Sequence, residues 1–585
     1  MTPAAYAEAL DFDRRMGDAA DAGRLFSYAR CAELDDREEF PLDICRELDI
    51  LGLPRHYVPR AYGGSLDRYD DALQLMRVIA RRDLTVAIAH GKTFLGAVSV
   101  WVGGSDQQAR ELGELIAGGT VVSWGLTERD HGSDLLAGEV VARRDPGSDG
   151  YLVTGEKWLI NNANRGERIC LLVRTGEMTG ARAYSLLMVD KQSLDRTAYR
   201  PLPGVRLHGI RGADISGAAF ADAPVPRSAL IGAEGSGAEI VLKSLQLTRT
   251  LCAALSLGAG DQAIGLATGF ALEPDADGVR PVDRPQARYL LAQSYADVLL
   301  AESTALVAAR SIHALTGEQA ATSAVTKFYV PTLIDQAVTR LSDVLGPRSL
   351  LVGDTFAHGR FQKVQRDHRI VSIFDGNTVV NLHSLIRSFP VLANQLRLGT
   401  VDRDGLARAT TLTAELPDFD RHKLVLIPRA GSSVLQALTT GVAELTERVR
   451  RGELPFSLGS RAEAIVAASA ALTDDLLAHR PTPVTPSAAA FELAERYARC
   501  YAASAAVHLW LRNHETVGDG DPLWREGLWL EAALARVLDQ LHPGRAGTDS
   551  DVLDRLLPVL TDQYTAGEPP SLLRRSGAES VKGAP

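Results

Sequence analysis

The sequence predicts an α+β protein that is mainly helical, with an N-terminal helical domain, a middle β-domain, a second helical domain and an extra C-terminal helical domain. Three observations carry this expectation. Apolar residues at helical spacing, such as Ala72, Leu73, Met76, Ile79 and Ala80, run through residues 1–119. Over residues 120–235 the pattern becomes short β-rich runs, including Thr120 to Trp124, Arg168 to Arg174 and Ala183 to Val189, set between Gly, Asp and Pro clusters. Residues 236–398 return to long Ala- and Leu-rich helical patterns, and residues 399–566 stay helical, with breaks at Pro417, Pro428, Pro455 and Pro481 to Pro486. The stretch 567–585, rich in Gly, Pro, Ser and charge, reads as a disordered tail.

Composition narrows the function classes. With 585 residues, 45% hydrophobic and 23% charged, the chain is neither disordered, collagenous nor a disulfide scaffold. The 63 basic against 73 acidic residues leave a net charge of −10, which provides no global attraction for nucleic acid or anionic lipid. Cys31, Cys45, Cys170, Cys252 and Cys500 are widely spread and form no CxxC pair, so no metal site is expected and a reducing cytoplasm fits. The most apolar stretch, Leu84 to Val102, is interrupted by His90, Lys92 and glycines, and reads as a buried helix rather than a membrane span. The first residues, acidic and without an apolar centre, do not read as a signal peptide.

Three segments carry candidate chemistry. Trp124 to Asp134 follows a strand and gathers Thr, Ser, Gly and backbone amides into one loop suited to hydrogen-bonding a polar ring or a phosphate. Gly155 to Asn162 gives a turn, a strand and the adjacent carboxamides Asn161 and Asn162. In Arg366 to Thr378 an aromatic, Phe374, and an acid, Asp375, lead into Gly376 and a new helix. Asp375 could instead be the N-cap of that helix, because aspartate is favoured there. His131 and His208 lack metal-ligand spacing, and Ser432-Ser433 lacks a nucleophile-elbow setting.

Together, and in this order, these segments resemble the acyl-CoA dehydrogenase family in a long form with a C-terminal helical extension. The family pattern LTEPxxGSD matches Leu126 to Asp134 with Arg129 at the proline, and GxKxWITN matches Gly155 to Asn162 with Leu159 at the tryptophan and Asn161 at the threonine. RDxRIxxIYEGT matches Arg366 to Asn377, with Phe374 for tyrosine, Asp375 for the catalytic glutamate and Asn377 for threonine. Phe220 to Pro226, Ile231 to Gly237, Thr248-Arg249 and Leu345-Gly346 are further partial matches. The resemblance covers residues 1 to 395 and implies the family's fold: a helical domain, a β-barrel or sheet domain and a four-helix bundle.

It also implies FAD, α,β-desaturation of an acyl-CoA, and electron-transfer flavoprotein or oxygen as electron acceptor. Leu126, Thr127, Gly132, Ser133 and Asn161 would hold the flavin. Gln286, Gly346, Asn377 and Thr378 would hold the adenosine half or a neighbouring subunit's cofactor. Phe374, Arg249 and Arg387 would line the substrate side, and Asp375 would be the base. Aspartate withdraws its carboxylate by about 1.5 Å, one C–C bond, relative to glutamate. That substitution leaves open a specialised enzyme acting on a carrier-protein-bound or unusual acyl group, or a degenerate member acting as a binding protein. By analogy with long family members, the extension implies a homodimer.

Overall fold

The structure is a computed structural model that describes residues 4–176, 179–482, 485–516, 520–543 and 550–573. Its N-terminal helices are α1 (Ala4–Met16), α2 (Tyr28–Arg37), α3 (Leu42–Ile50), α4 (Tyr69–Arg82), α5 (Leu84–Gly103) and α6 (Asp106–Ala117). The strands are β1 (Val122–Gly125), β2 (Val141–Arg144), β3 (Gly150–Asn161), β4 (Arg168–Arg174), β5 (Tyr184–Asp190), β6 (Tyr199–Leu202), β7 (Ile215–Pro226) and β8 (Leu230–Ile231). Next come α7 (Gly237–Leu272), α8 (Pro285–Ala314), α9 (Gln319–Leu345), α10 (Arg360–His368) and α11 (Thr378–Leu398). The extension contributes α12 (Arg403–Thr410), α13 (Ser433–Gln436), α14 (Leu438–Arg450), α15 (Phe456–Ala478), α16 (Ala488–Asn513), α17 (Leu528–Leu541) and α18 (Ser550–Thr565). Contacts group the chain into two compact units, one of residues 14–67 and 82–248 and the other of 1–13, 68–81 and 249–585.

The first unit is built on one sheet of order β6-β7-β3-β2-β4-β5-β8, with β1 pairing parallel to β4. Its apolar face buries Val140, Tyr151, Ile169, Leu171, Phe220 and Val225, as the alternation in these strands requires. Asp83 caps α5 through the Val86 amide, and Ser105 with Gln108 forms a capping box on α6. Gly96 of α5 lies so close to β1 that a Cβ would sit 2.6 Å from the Val122 carbonyl oxygen. Only glycine permits that approach, which fixes the helix behind the strand that feeds the Trp124 loop. Helices α5 and α7 are long and apolar enough to cross a membrane by length and composition, and both are mostly buried in the protein.

In the second unit α7, α8, α9 and α11 form the four-helix bundle. Gly260 of α7 packs near Ile334 of α9 and Val298 of α8, and α9 packs along both α8 and α11. Helices α12, α16, α17 and α18 of the extension cover α8. Buried ion pairs set the register of these helices. Arg77 of α4 bonds Asp261 of α7 at 2.8 Å and Glu302 of α8 at 2.6 Å, with all three side chains almost fully buried. Arg310 of α8 bonds Asp70 at 2.9 Å and donates to the carbonyls of Arg408, Thr411 and Ala414.

The expectation of a tail from Gly567 is corrected for residues 567–573. Ser571, Leu572 and Leu573 are buried, because Ser571 Oγ donates to Glu302 at 2.6 Å and the Leu572 amide to the same carboxylate at 2.9 Å. Residues 574–585 lie outside the described residues.

Glu318, between α8 and α9, is buried with its carboxylate accepting from the Ser433 amide at 2.7 Å and the Ser433 hydroxyl at 2.6 Å. Burial pushes its pKa up to about 7 from an ordinary 4.5, against the pull of those two hydrogen bonds. The folded chain therefore keeps a proton that the unfolded chain sheds. The stability due to this group is full below pH 4.5 and is lost as pH rises through about 7, a fall of roughly 3 kcal/mol. Denaturant unfolding of the wild type between pH 4.5 and 7.5 should show this decline, and Glu318→Gln should flatten it.

Candidate functional site

The residues singled out in the sequence form two clusters, one in each unit. In the sheet unit, the loop after β1 is tied to β3 through three consecutive residues, Leu126, Thr127 and Glu128. The Thr127 hydroxyl donates to the Trp158 carbonyl at 2.7 Å, and the Trp158 amide donates to the Thr127 carbonyl at 3.1 Å. Lys157, 1% exposed, donates to Glu128 at 2.7 Å and to the Leu126 carbonyl at 3.2 Å. Glu128 also accepts from the amides of Glu139 at 2.6 Å and Val140 at 3.2 Å, so one carboxylate closes the loop across thirteen residues. Burial works to raise the Glu128 pKa, but the Lys157 ammonium and the backbone donors outweigh it and hold the group below the usual carboxylate range.

Two features of this loop are suited to a polar ring. The pairing of β3 with β7 slips between Trp158 and Ile160, where Leu159 takes a left-handed φ of 56°. Such a bulge re-aims the side chains that follow. Asn161, just beyond it, has a buried carbonyl oxygen without a protein partner, and the Trp124 indole nitrogen is likewise buried and unpartnered. Orphaned buried donors and acceptors are costly unless something fills them. Gly132 and Ser133 are exposed at the loop tip, with open space where a Gly132 Cβ would stand. The Arg129 guanidinium lies over the Trp158 ring at 4.4 Å, a cation–π contact in the position of the family's proline.

In the helical unit the centre is Asp375. It sits half-buried in a left-handed turn, φ 56°, followed by Gly376 at φ 91°. Arg249 of α7, nearly buried, donates from Nε to the Asp375 carbonyl at 2.9 Å. Burial pushes the Arg249 guanidinium pKa down to about 10, with the Asp375 charge working against that. Lys327 of α9, also buried, donates to the carbonyls of Val371 at 2.6 Å and Gly376 at 3.2 Å and lies 5.4 Å from the Phe374 ring centre. The Cys252 thiol, one turn after Arg249 on α7, points its Sγ to Asp375 Oδ2 at 3.4 Å. A Cβ on Gly376 would stand 2.7 Å from the Arg249 guanidinium, so residue, turn and cation are matched.

Asp375 is not the helix cap. That role falls to Asn377, whose side chain accepts from the Val380 amide at 2.9 Å at the start of α11, and Thr378 is the first residue of that helix. Gly346 ends α9 with φ 56°. Gln286 is exposed in the first turn of α8 and Arg387 is exposed on α11, and among the described residues no hydrogen bond or ion pair joins either to Asp375. Sequence reasoning missed Cys252 and Lys327. The signals were available: Cys252 lies at i+3 from Arg249 on one helix face, and Lys327 is one of eight lysines in the chain, followed directly by the apolar run Phe328 to Pro331.

The acyl-CoA dehydrogenase profiles match in chain order: the N-terminal domain over residues 26–120, the middle domain over 123–223 and the C-terminal domain over 235–389. The chain belongs to the acyl-CoA dehydrogenase family. A probable acyl-CoA dehydrogenase of Mycobacterium tuberculosis is 27% identical over 239 residues, 41% of this chain and 58% of that protein. A mitochondrial isobutyryl-CoA dehydrogenase of Dictyostelium discoideum is 31% identical over 237 residues, 39% of this chain and 54% of its own length. The matched region thus spans little more than half of these relatives. An acyl-CoA dehydrogenase of Bacillus anthracis, solved in complex with FAD, superposes with a TM-score of 0.68 at 18% identity, covering 96% of this chain and 95% of its own. That likeness shows the fold, including helices beyond residue 400.

Removing the cation beneath the β1 loop tests how that loop is held. Lys157→Met should cost about 3 kcal/mol, because it leaves Glu128 buried without its counter-charge. Denaturant midpoints should show this loss, whereas Arg129→Ala, at the exposed loop tip, should shift the midpoint far less.

Proposed function

We propose that this protein is an FAD-dependent acyl-thioester dehydrogenase, with Asp375 the base that takes the Cα proton. The observation that carries the reading is Asp375 itself, a half-buried carboxylate in a left-handed turn held by Arg249 and Lys327. Strain of this kind, about 1–3 kcal/mol, concentrates where a side chain must be presented rather than packed.

The donor set of the sheet unit fits a flavin. The orphaned Asn161 oxygen and Trp124 indole nitrogen supply one acceptor and one donor to a heteroaromatic ring. The backbone at Leu126 and Thr127 and the open loop tip at Gly132 and Ser133 suit its polar edge and diphosphate. In the helical unit, Gly346, Asn377, Thr378 and Gln286 are the residues assigned to the rest of the cofactor. When bound, the flavin supplies the hydride acceptor.

The chain's own residues do the remaining work. The Asp375 carboxylate accepts the α-proton, leaving the C–H electron pair on the thioester as an enolate, and hydride then departs from Cβ. Arg249 holds the carbonyl of Asp375 and Lys327 that of Gly376, which fixes the backbone that presents the base. Phe374 and Arg249 are assigned to the substrate side, as is Arg387. Carriage of the acyl group by CoA or by a carrier protein, the electron acceptor, a homodimeric assembly and cytoplasmic residence are further parts of the same proposal.

The test is the visible spectrum of the purified protein before and after anaerobic addition of saturated acyl-CoA esters, and of the same acyl groups on acyl carrier protein. Flavin absorbance should bleach with at least one of them, and the faster carrier identifies the physiological form. Asp375→Asn should retain the flavin and slow bleaching by about a thousandfold, within the range of general-base contributions. Unchanged reduction by that variant removes Asp375 as the base, and no flavin uptake even on reconstitution removes the reading altogether.

A further inference from the structure

We infer that the first unit holds a further ligand site, a small cavity beside α5 suited to an oxyanion that carries a hydroxyl, of the hydrogenphosphate or hydrogencarbonate kind. None of the residues assigned above to flavin or substrate lines it. The inference therefore stands apart from the reaction proposed for them.

The cavity, about 50 Å³, lies between α3, the turn that follows it, α5 and the segments before β1 and after β3. At roughly 10–15 Å³ for each buried water, that space suits about three to five non-hydrogen atoms. Asn162, 1% exposed, sets the acceptor on its wall. The Asn162 amide donates to the Asp214 carbonyl and the Asn162 carbonyl accepts from Ser123 Oγ, both at 2.7 Å. Its Nδ2 donates to the Ala89 carbonyl at 2.8 Å. That bond fixes which way the carboxamide faces, so the atom left buried without a protein partner is the acceptor, Oδ1. An orphaned buried acceptor calls for a donor.

The wall's own donors call for an anion. Arg165, half-buried, lies over the Phe40 ring at 3.8 Å. This contact uses the face of the guanidinium and leaves its in-plane fork of N–H groups for two oxygens of one ligand. Among the described residues no carboxylate pairs with the Arg165 guanidinium or with the exposed Arg46 beside it on the wall, and the Thr93 hydroxyl makes no hydrogen bond. Asp49 is the one carboxylate lining the cavity, and it is engaged by His90 Nε2 at 3.0 Å, with His90 Nδ1 joined to the Tyr57 hydroxyl at 2.7 Å. Burial pushes the Cys45 thiol up to about 12 and keeps the Tyr57 phenol protonated, so neither adds negative charge. Two guanidiniums against one carboxylate leave the wall net positive. The Asn162 oxygen adds the demand that the anion own an O–H. Sulfate and nitrate, which carry none at neutral pH, would set acceptor against acceptor.

The experiment is isothermal titration calorimetry on the purified full-length protein with FAD bound, near neutral pH and at constant ionic strength, with inorganic phosphate, hydrogencarbonate, sulfate and nitrate. One site per chain should take phosphate or hydrogencarbonate, and the tighter of the two shows whether the site is tetrahedral or planar. Sulfate and nitrate should bind at least about tenfold more weakly, because they leave a buried acceptor unmet. Arg165→Met should weaken the preferred anion by about tenfold or more, the size of a lost bond to a charged group. Arg227→Met, which removes the same charge from the exposed turn after β7, should leave the affinity within about twofold. Thr93→Val, which keeps the shape, should weaken it about threefold and decides the matter where Arg165→Met does not fold. No saturable binding of phosphate or hydrogencarbonate overturns the inference. So does sulfate bound as tightly as either, because the site would then read charge alone, and so does an affinity that every folded variant at Arg165 and Thr93 retains. Each of these results leaves the flavin reading as it stands.

Discussion

The helical unit depends on a cation that never meets water. Arg77 is almost fully buried between Asp261 and Glu302, and Glu302 also receives the Ser571 hydroxyl and the Leu572 amide. Desolvating three charges is expensive, and the arrangement persists only where each has its partners in good geometry. Sliding α7 or α8 by one residue would separate these charges in the interior. The pair therefore works as a register pin. Everything α7 carries upstream of Asp261, Arg249 and Cys252 included, takes its position from that pin. Arg310 repeats the device on α8, joining Asp70 to three carbonyls at the start of the extension.

Both clusters of the candidate site are held by a buried lysine placed under main-chain oxygens. Lys157 supports the loop after β1 through Leu126 and Glu128, and Lys327 supports the Asp375 turn through Val371 and Gly376. The physical reason is common to the two. Loops carry main-chain groups that a sheet or helix ladder would otherwise satisfy, and unsatisfied carbonyls in the interior are costly. An ammonium offers three donors from one point, so it can gather carbonyls that diverge. At Asp375 this support stands against the strain of a left-handed residue, since hydrogen bonds from charged donors are worth about 1.5–3 kcal/mol each.

Much of this was legible in the sequence, for reasons tied to particular residues. Ala72, Leu73, Met76, Ile79 and Ala80 have the spacing of a helix with one buried face, and they lie in α4. The runs at Arg168 to Arg174 and Ala183 to Val189 fall on β4 and β5, which pair with each other. What stayed hidden depends on residues far apart in the chain. The Cys252–Asp375 contact spans 123 positions, and no local pattern announces it. The slip at Leu159 arises from pairing with β7, not from the composition of β3. Ser571 to Leu573 follow a Gly- and Pro-containing stretch that reads as disordered on average, yet their burial is decided by one distant carboxylate, Glu302. The helix cap at Asn377 was masked by an equally suitable aspartate two residues earlier.

That last ambiguity bears on the meaning of aspartate where the family has glutamate. Had Asp375 served as the cap, its carboxylate would point to the amides of α11 and its short side chain would need no other explanation. Instead Asn377 takes the amide, and the Asp375 backbone is placed in a left-handed conformation that costs energy. A carboxylate withdrawn by about 1.5 Å can meet a substrate carbon only if the backbone bearing it, or the substrate, is displaced to match. On the function proposed above, the left-handed turn would be a displacement of the first kind, because it redirects the Cα–Cβ bond away from where a helical or extended residue would send it. Arg249, Lys327 and Cys252 then account for its persistence, holding respectively the carbonyl of Asp375, the carbonyl that follows and the carboxylate itself.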